Sequence, residues 1–194
     1  SVVVERSLPL AAMDDALLAW EMNGQPLSLA HGGPLRLVVP GYSGVNNIKY
    51  VRQLAFGGAE SQARIMAHGY RITPPGSKSD PSQPSVLAMD VKSWIESPLG
   101  EPGPVPRGTT QITGLAFGGL HAVERVEVSV DGGQSWREAR FIGPNLGRYA
   151  WRQFVLQVDL QPGTYTLASR ATDARGQTQP QHRTENTGGY NNNS

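Results

Sequence analysis

The chain has 194 residues, a formal net charge of +1, 38% hydrophobic residues, 23 Gly, 15 Pro and no Cys. That is enough chain for one large or two small domains. No apolar run approaches the ~18 residues a membrane span needs, Lys and Arg are scattered rather than gathered into a nucleic-acid patch, and without cysteine the chain has neither a disulfide framework nor a thiolate metal ligand.

Taken in order, residues 1–50 mix short helix and strand signals. Asp14 or Asp15 is placed to cap a short amphipathic segment over 16–22, which Asn23-Gly24 ends. A strand is predicted over 35–39 and stopped by Pro40-Gly41. Residues 48–56 alternate roughly as another strand, and 60–66 carry a short helix signal. A polar loop follows over 73–84, then a predicted strand over 85–95. Residues 97–108, SPLGEPGPVPRG, have the composition of an interdomain linker.

From Thr109 the period becomes two. Val126, Val128 and Val130 alternate with Glu127 and Ser129, so one face is apolar. Asp131-Gly132-Gly133 is a hairpin signal, with a return strand over 136–141. Further strands are predicted over 151–160 and 164–171, with turns at Pro162-Gly163 and 173–176. Trp136 and Trp151 are assigned to the core, and the isolated His121 and His182 to the surface. The pattern predicts a mainly β chain ending in an immunoglobulin-like β-sandwich. The divisions are 1–96, a linker over 97–108, the sandwich over 109–185 and a tail over 186–194.

Chemistry concentrates in residues 22–50, MNGQPLSLAHGGPLRLVVPGYSGVNNIKY. His31, Arg36 and Lys49 stand among glycines and prolines. Glycine permits close backbone approach, Arg offers a planar fork and Lys a point charge. Gly41, Gly44 and Asn46-Asn47 lie between strand signals, where backbone N–H groups could face an anion. Two readings stay open on the residues alone: a site for a phosphate-bearing ligand, or two strands joined by a glycine-rich loop with solvated charges.

The ordered series Met22-Asn23-Gly24, Pro26-Leu27, His31-Gly32, Pro34, Arg36, Val39-Pro40-Gly41 and Lys49-Tyr50 resembles the stretch that closes the molybdopterin domain in the sulfite oxidase and sulfite dehydrogenase family. The resemblance implies that 1–96 is the C-terminal part of a mixed α+β molybdopterin-binding domain. It implies that His31, Arg36 and Lys49 hold the pterin and its phosphate, and that the backbone of Asn46, Asn47 and Ile48 lines the same pocket. Tyr70, in His68-Gly69-Tyr70-Arg71, stands at the family's active-site tyrosine, where its phenol would donate a hydrogen bond at the metal or to bound sulfite. Arg71 is open between a second positive charge there and a surface residue. Residues 129–136, SVDGGQSW, and 170–180, RATDARGQTQP, resemble the family's dimerisation domain.

The resemblance further implies molybdenum-molybdopterin as cofactor and oxidation of sulfite to sulfate, with electrons leaving to a haem protein such as a cytochrome c. It implies a homodimer and no nucleic-acid or membrane partner. The compartment is expected to be the periplasm, with any export signal upstream of residue 1. Both ends read as cuts in a longer protein. The family's molybdenum-binding cysteine and an upstream substrate arginine are outside this chain, so the chain alone is expected to be inactive. Tyr50 stands where the family often has Trp, and Gly188 where some members have Arg. Two alternatives are a sulfane dehydrogenase-type subunit of thiosulfate oxidation and a non-catalytic immunoglobulin-like binding module.

Overall fold

The computed structural model describes residues 4–98 and 108–194. These form two compact units. One runs to residue 89 and includes residues 185–191; the other takes residues 90 to 184 with 192–194.

The first unit is built from short pieces. A 3₁₀ turn at Leu10–Met13 precedes β1 (Leu17–Ala19), β2 (Glu21–Met22), β3 (Gln25–Pro26) and β4 (Arg36–Val38), and a single helical turn, α1, covers Arg64–Ala67. Antiparallel β1 and β4 set Leu17 opposite Val38 and Leu18 opposite Leu37. β2 and β3 form a hairpin through Asn23-Gly24, both at positive φ. The segment 16–22 is therefore strand, not a capped helical segment. A helix that short is unstable alone, and pairing with β4 decides its conformation. The expected strand over 48–56 is absent. Only Leu37 N–H to the Ile48 carbonyl and Val51 N–H to the Leu35 carbonyl tie this stretch to the β4 region, and Leu54 and Phe56 are exposed. Residues 85–89 make isolated bridges to Arg71 and Tyr42 rather than a continuous strand. Leu37, Val39 and Ala12 are the buried core, with Tyr42, Ile48 and Val51 packed against them.

The second unit is one antiparallel sheet of six strands: β5 (Lys92–Ser97), β6 (Gly108–Phe117), β7 (Val123–Ser129), β8 (Arg137–Ile142), β9 (Arg152–Leu160) and β10 (Ala168–Asp173). The order is β10-β7-β8-β9-β6-β5. β8 pairs with β7 through Arg137 to Ala139 and with β9 through Arg140 to Ile142. It thus carries the chain from one layer of the sandwich to the other. The ends of the sheet approach one another, because Ser93 of β5 hydrogen-bonds Ser169 of β10 at 3.0 Å and Gln179 at 2.7 Å. Inside lie Ile112, Val126, Val128, Phe154 and Ala171. Gly114 takes its turn among the inward-facing positions of β6 without a side chain, because a Cβ there would stand 2.4 Å from the Phe154 ring.

This is the expected mainly β architecture. β5 begins before the stretch read as a linker and shares Ser97 with it, yet belongs to the second unit, and residues 99–107 of that stretch lie outside the described residues. Trp151 is not core. It is 42% exposed and rests on Trp94 and Phe117 at ring centroid distances of 4.7 and 4.8 Å. Trp136 is half-buried beneath the Arg170 guanidinium, 4.2 Å away. Among the described residues no helix is long and apolar enough to cross a membrane.

Candidate functional site

The predicted cation cluster forms around a 3₁₀ turn at Leu29–His31. Ser28 caps it, its hydroxyl accepting from the His31 N–H at 3.3 Å and bonding the His31 ring Nδ1 at 2.8 Å. Gly32 ends the turn at φ 101°, and a Cβ there would lie 2.8 Å from Lys49 Cγ. Glycine is therefore required for Lys49 to lie against the turn. Three successive carbonyls each receive one donor. The Tyr50 hydroxyl donates to Leu29 at 2.8 Å, the Lys49 ammonium to Ala30 at 2.7 Å and an Arg36 terminal nitrogen to His31 at 3.0 Å. His31, Arg36 and Lys49 are thus brought together on one turn.

The cluster keeps donor capacity. The Lys49 ammonium has three N–H groups and forms one bond among the described residues. The Arg36 Nε is buried without a hydrogen-bond partner among the described residues, and a buried donor of that kind costs about 1–3 kcal/mol. A glycine-walled turn with two fixed cations and an orphaned guanidinium N–H fits an anionic, phosphate-bearing group such as the pterin cofactor.

Asn46, Asn47 and Ile48 are placed differently. Asn46 is wholly buried; its amide donates to the carbonyls of Val86 and Leu87 at 3.2 and 3.0 Å. The Asn47 amide oxygen accepts the Val39 N–H at 2.7 Å, and its nitrogen donates to the carbonyls of Tyr42 and Ser43. The N–H groups of Asn46 and Asn47 close the 3₁₀ turn Gly44–Asn46, and the Ile48 carbonyl accepts from Leu37. The polar groups of this run bind the scaffold that presents Lys49.

Tyr70 follows α1 at φ 53°, a left-handed conformation a bulky residue adopts only when its surroundings impose it. Its carbonyl accepts the Val86 N–H at 2.7 Å, and its hydroxyl has no hydrogen-bond partner among the described residues. Arg71 settles against the interior. It is 5% exposed, donates to the carbonyls of Met66 and Gln83, and pairs with Glu60 at 3.0 Å. It is therefore committed to holding the loop. His68 is exposed.

Sequence reasoning missed Arg6. Its guanidinium donates to Asn46 Oδ1 at 3.2 and 3.1 Å, to the Ser85 hydroxyl and to the Val86 carbonyl, and lies 5.7 Å from the Tyr70 ring centroid. Burial, followed by the nearby Arg71, holds its pKa below the ordinary arginine value. One arginine in an unpatterned N-terminal stretch gives no sequence signal. Through Asn46, three residues before Lys49, it ties the Tyr70 region to the cation cluster.

The chain matches two families in succession. Residues 2–65 match an oxidoreductase molybdopterin binding domain, and residues 83–194 a Mo-co oxidoreductase dimerisation domain. The chain belongs to the molybdopterin oxidoreductase family. Among curated relatives it is 36% identical to sulfite oxidase of Gallus gallus over 190 residues, covering 93% of this chain and 40% of that protein. It is 33% identical to sulfite oxidase of Arabidopsis thaliana over 183 residues, 87% of this chain and 46% of that protein. The crystal structure of the sulfane dehydrogenase SoxCD from Paracoccus pantotrophus superposes with a TM-score of 0.78 at 37% identity, covering 90% of this chain and 44% of that one. The resemblance read from residues 22–50 is borne out, and the chain spans less than half the length of these relatives. A stand-alone immunoglobulin-like module does not account for the match over residues 2–65.

Proposed function

We propose that the chain is part of a longer molybdenum-dependent sulfite:acceptor oxidoreductase that converts sulfite to sulfate. The observation that carries this reading is the turn at Leu29–His31, which gathers Arg36 and Lys49 on consecutive carbonyls in a chain 36% identical to a sulfite oxidase. His31, Arg36 and Lys49 would hold the pterin and its phosphate. When bound, the molybdenum cofactor supplies the two-electron redox centre. The metal-binding cysteine would lie outside this chain, which contains none, so the chain alone retains no molybdenum and oxidises no sulfite.

The rest belongs to this chain's own side chains. Arg36 and Lys49 supply fixed positive charge against an anionic cofactor at no reorganisation cost during reaction. Tyr70 offers an unpartnered phenol O–H to an oxygen of the sulfur oxyanion. The acceptor would be a haem protein such as a cytochrome c, in the periplasm. The match of residues 83–194 to a dimerisation domain supports a homodimer.

Tyr70→Phe in the longer protein tests the reading. It keeps the ring and removes the donor. Losing one hydrogen bond to a charged oxygen costs ~1.5–3 kcal/mol, so kcat/KM for sulfite, normalised to molybdenum, should fall roughly tenfold to a hundredfold. A wild-type kcat/KM would remove Tyr70 from the site.

A second reading is favoured by one observation, the superposition on a sulfane dehydrogenase at 37% identity. Here the substrate would be a sulfane sulfur rather than free sulfite. Turnover of thiosulfate-derived sulfane sulfur with no sulfite oxidation would select it.

A further inference from the structure

Residues 185–191 follow the sandwich in sequence but belong to the first unit. Thr187 anchors them, its N–H donating to the Thr73 carbonyl at 2.8 Å and its hydroxyl to the Pro74 carbonyl at 2.9 Å. Asn186 then clasps Tyr190 from both sides of its peptide unit. Asn186 Oδ1 accepts the Tyr190 N–H at 2.9 Å, and Asn186 Nδ2 donates to the Tyr190 carbonyl at 2.7 Å. The Gly189 N–H closes onto the Asn186 carbonyl at 3.1 Å. Gly188 leaves space for the Tyr190 ring, because a Cβ at 188 would stand 2.3 Å from it. Asn191, at φ 53°, reaches the Ala88 carbonyl. These contacts aim one side chain, and the Tyr190 ring rests on Tyr70 with centroids 5.6 Å apart at 39°.

Tyr70 thus has two neighbours of different chemistry, the Arg6 guanidinium at 5.7 Å and the Tyr190 ring at 5.6 Å. A tilted aromatic pair is attractive beyond its buried area, and it restricts the Tyr70 ring where the strained backbone alone would not. We propose that Tyr190 is a positioning residue for Tyr70: it fixes the ring so that the free hydroxyl points at the substrate oxyanion. This rests on the reading of Tyr70 as a donor to the substrate. It makes the polar C-terminal segment part of the site.

A double-mutant cycle in the longer, molybdenum-loaded protein tests this, with kcat/KM for sulfite normalised to molybdenum. If Tyr190 acts through the Tyr70 hydroxyl, Tyr190→Leu lowers kcat/KM by about fivefold to tenfold in the wild-type background. In the Tyr70→Phe background the same change alters it by less than about twofold, because the group it positions is already gone. Tyr190→Phe, which keeps the ring, stays within about twofold of wild type. Gly188→Ala, whose Cβ pushes the ring aside while residue 190 stays tyrosine, reproduces the Tyr190→Leu pattern. Equal losses in both backgrounds, or a silent Tyr190→Leu, would overturn the proposal while leaving Tyr70 in place. A silent Tyr70→Phe would instead sink the reading of Tyr70, and the role of Tyr190 with it.

Discussion

The two units hold themselves together by opposite means. In the sandwich, β6 and β9 pair over nine consecutive residues, from Gly108 opposite Leu160 to Ala116 opposite Arg152, above a core of apolar side chains. Among the described residues of the first unit no strand exceeds three residues, and buried polar side chains stand in for ladders. Asn46 and Arg71 are buried and bonded to backbone carbonyls of other segments. A ladder satisfies its own backbone and leaves the fold regular. Side chains that take over that task free the backbone to run irregularly, and irregular backbone can gather Arg36 and Lys49 on one turn and hold Tyr70 in a left-handed conformation. The strain follows the same division, since Tyr50 and Tyr70 sit at φ 57° and 53° in the first unit.

Substitutions in the two units should therefore fail differently. Phe154 is fully buried in the sandwich. Phe154→Ala should cost ~3–5 kcal/mol of stability, read from denaturant unfolding. A loss under about 1 kcal/mol would mean the sandwich core is not the stabilising element. Asn46→Ala removes the side-chain amide that bonds the Val86 and Leu87 carbonyls and the oxygen that accepts twice from Arg6, leaving the carbonyls to Arg6 and the Ser43 N–H alone. It should cost about 1–3 kcal/mol. Cofactor retention should fall while the unfolding transition of the sandwich stays in place. Parallel loss of both transitions would break the distinction between the units.

The smallest effect is expected at Asp131. Hydrogen bonds from the Ser129 hydroxyl first, then from the Ser135 hydroxyl and N–H, hold its carboxyl far below the usual carboxylate range. A depressed folded-state pKa stabilises above the unfolded value of about 4 and loses that contribution as pH falls below it. Asp131→Asn should make stability less sensitive to acid between about pH 4 and pH 2. An unchanged acid profile would contradict this.

The same division explains what could be read in advance. Val126 and Val128 alternate over a buried face and are wholly buried, and 129–136 turns as its glycines predict. Long strands leave a period in the sequence. The cation cluster was legible only through the resemblance of residues 22–50 to the sulfite oxidase family, because His31, Arg36 and Lys49 among glycines left a solvated loop open as well. The failures fall where distant partners decide. Residues 16–22 become strand because β4 pairs with them, and Trp151 is exposed because its partners are Trp94 and Phe117. Arg6, the inward-facing Asn46 side chain and Tyr190 were invisible. Each acts across 40 or more residues, from Arg6 to Asn46 and from Tyr190 to Tyr70, and no local pattern encodes such contacts.

Under the proposed function, Arg36 and Lys49 of the first unit would hold an anionic molybdenum cofactor. The most direct test is the molybdenum content per chain of the longer protein carrying Arg36→Gln or Lys49→Ala, against wild type. Contacts between charged groups and a buried phosphate are worth ~1.5–3 kcal/mol, so each variant should retain well under half of the wild-type molybdenum after dialysis. Full molybdenum occupancy in both would contradict the account and leave the two cations as ordinary loop charges.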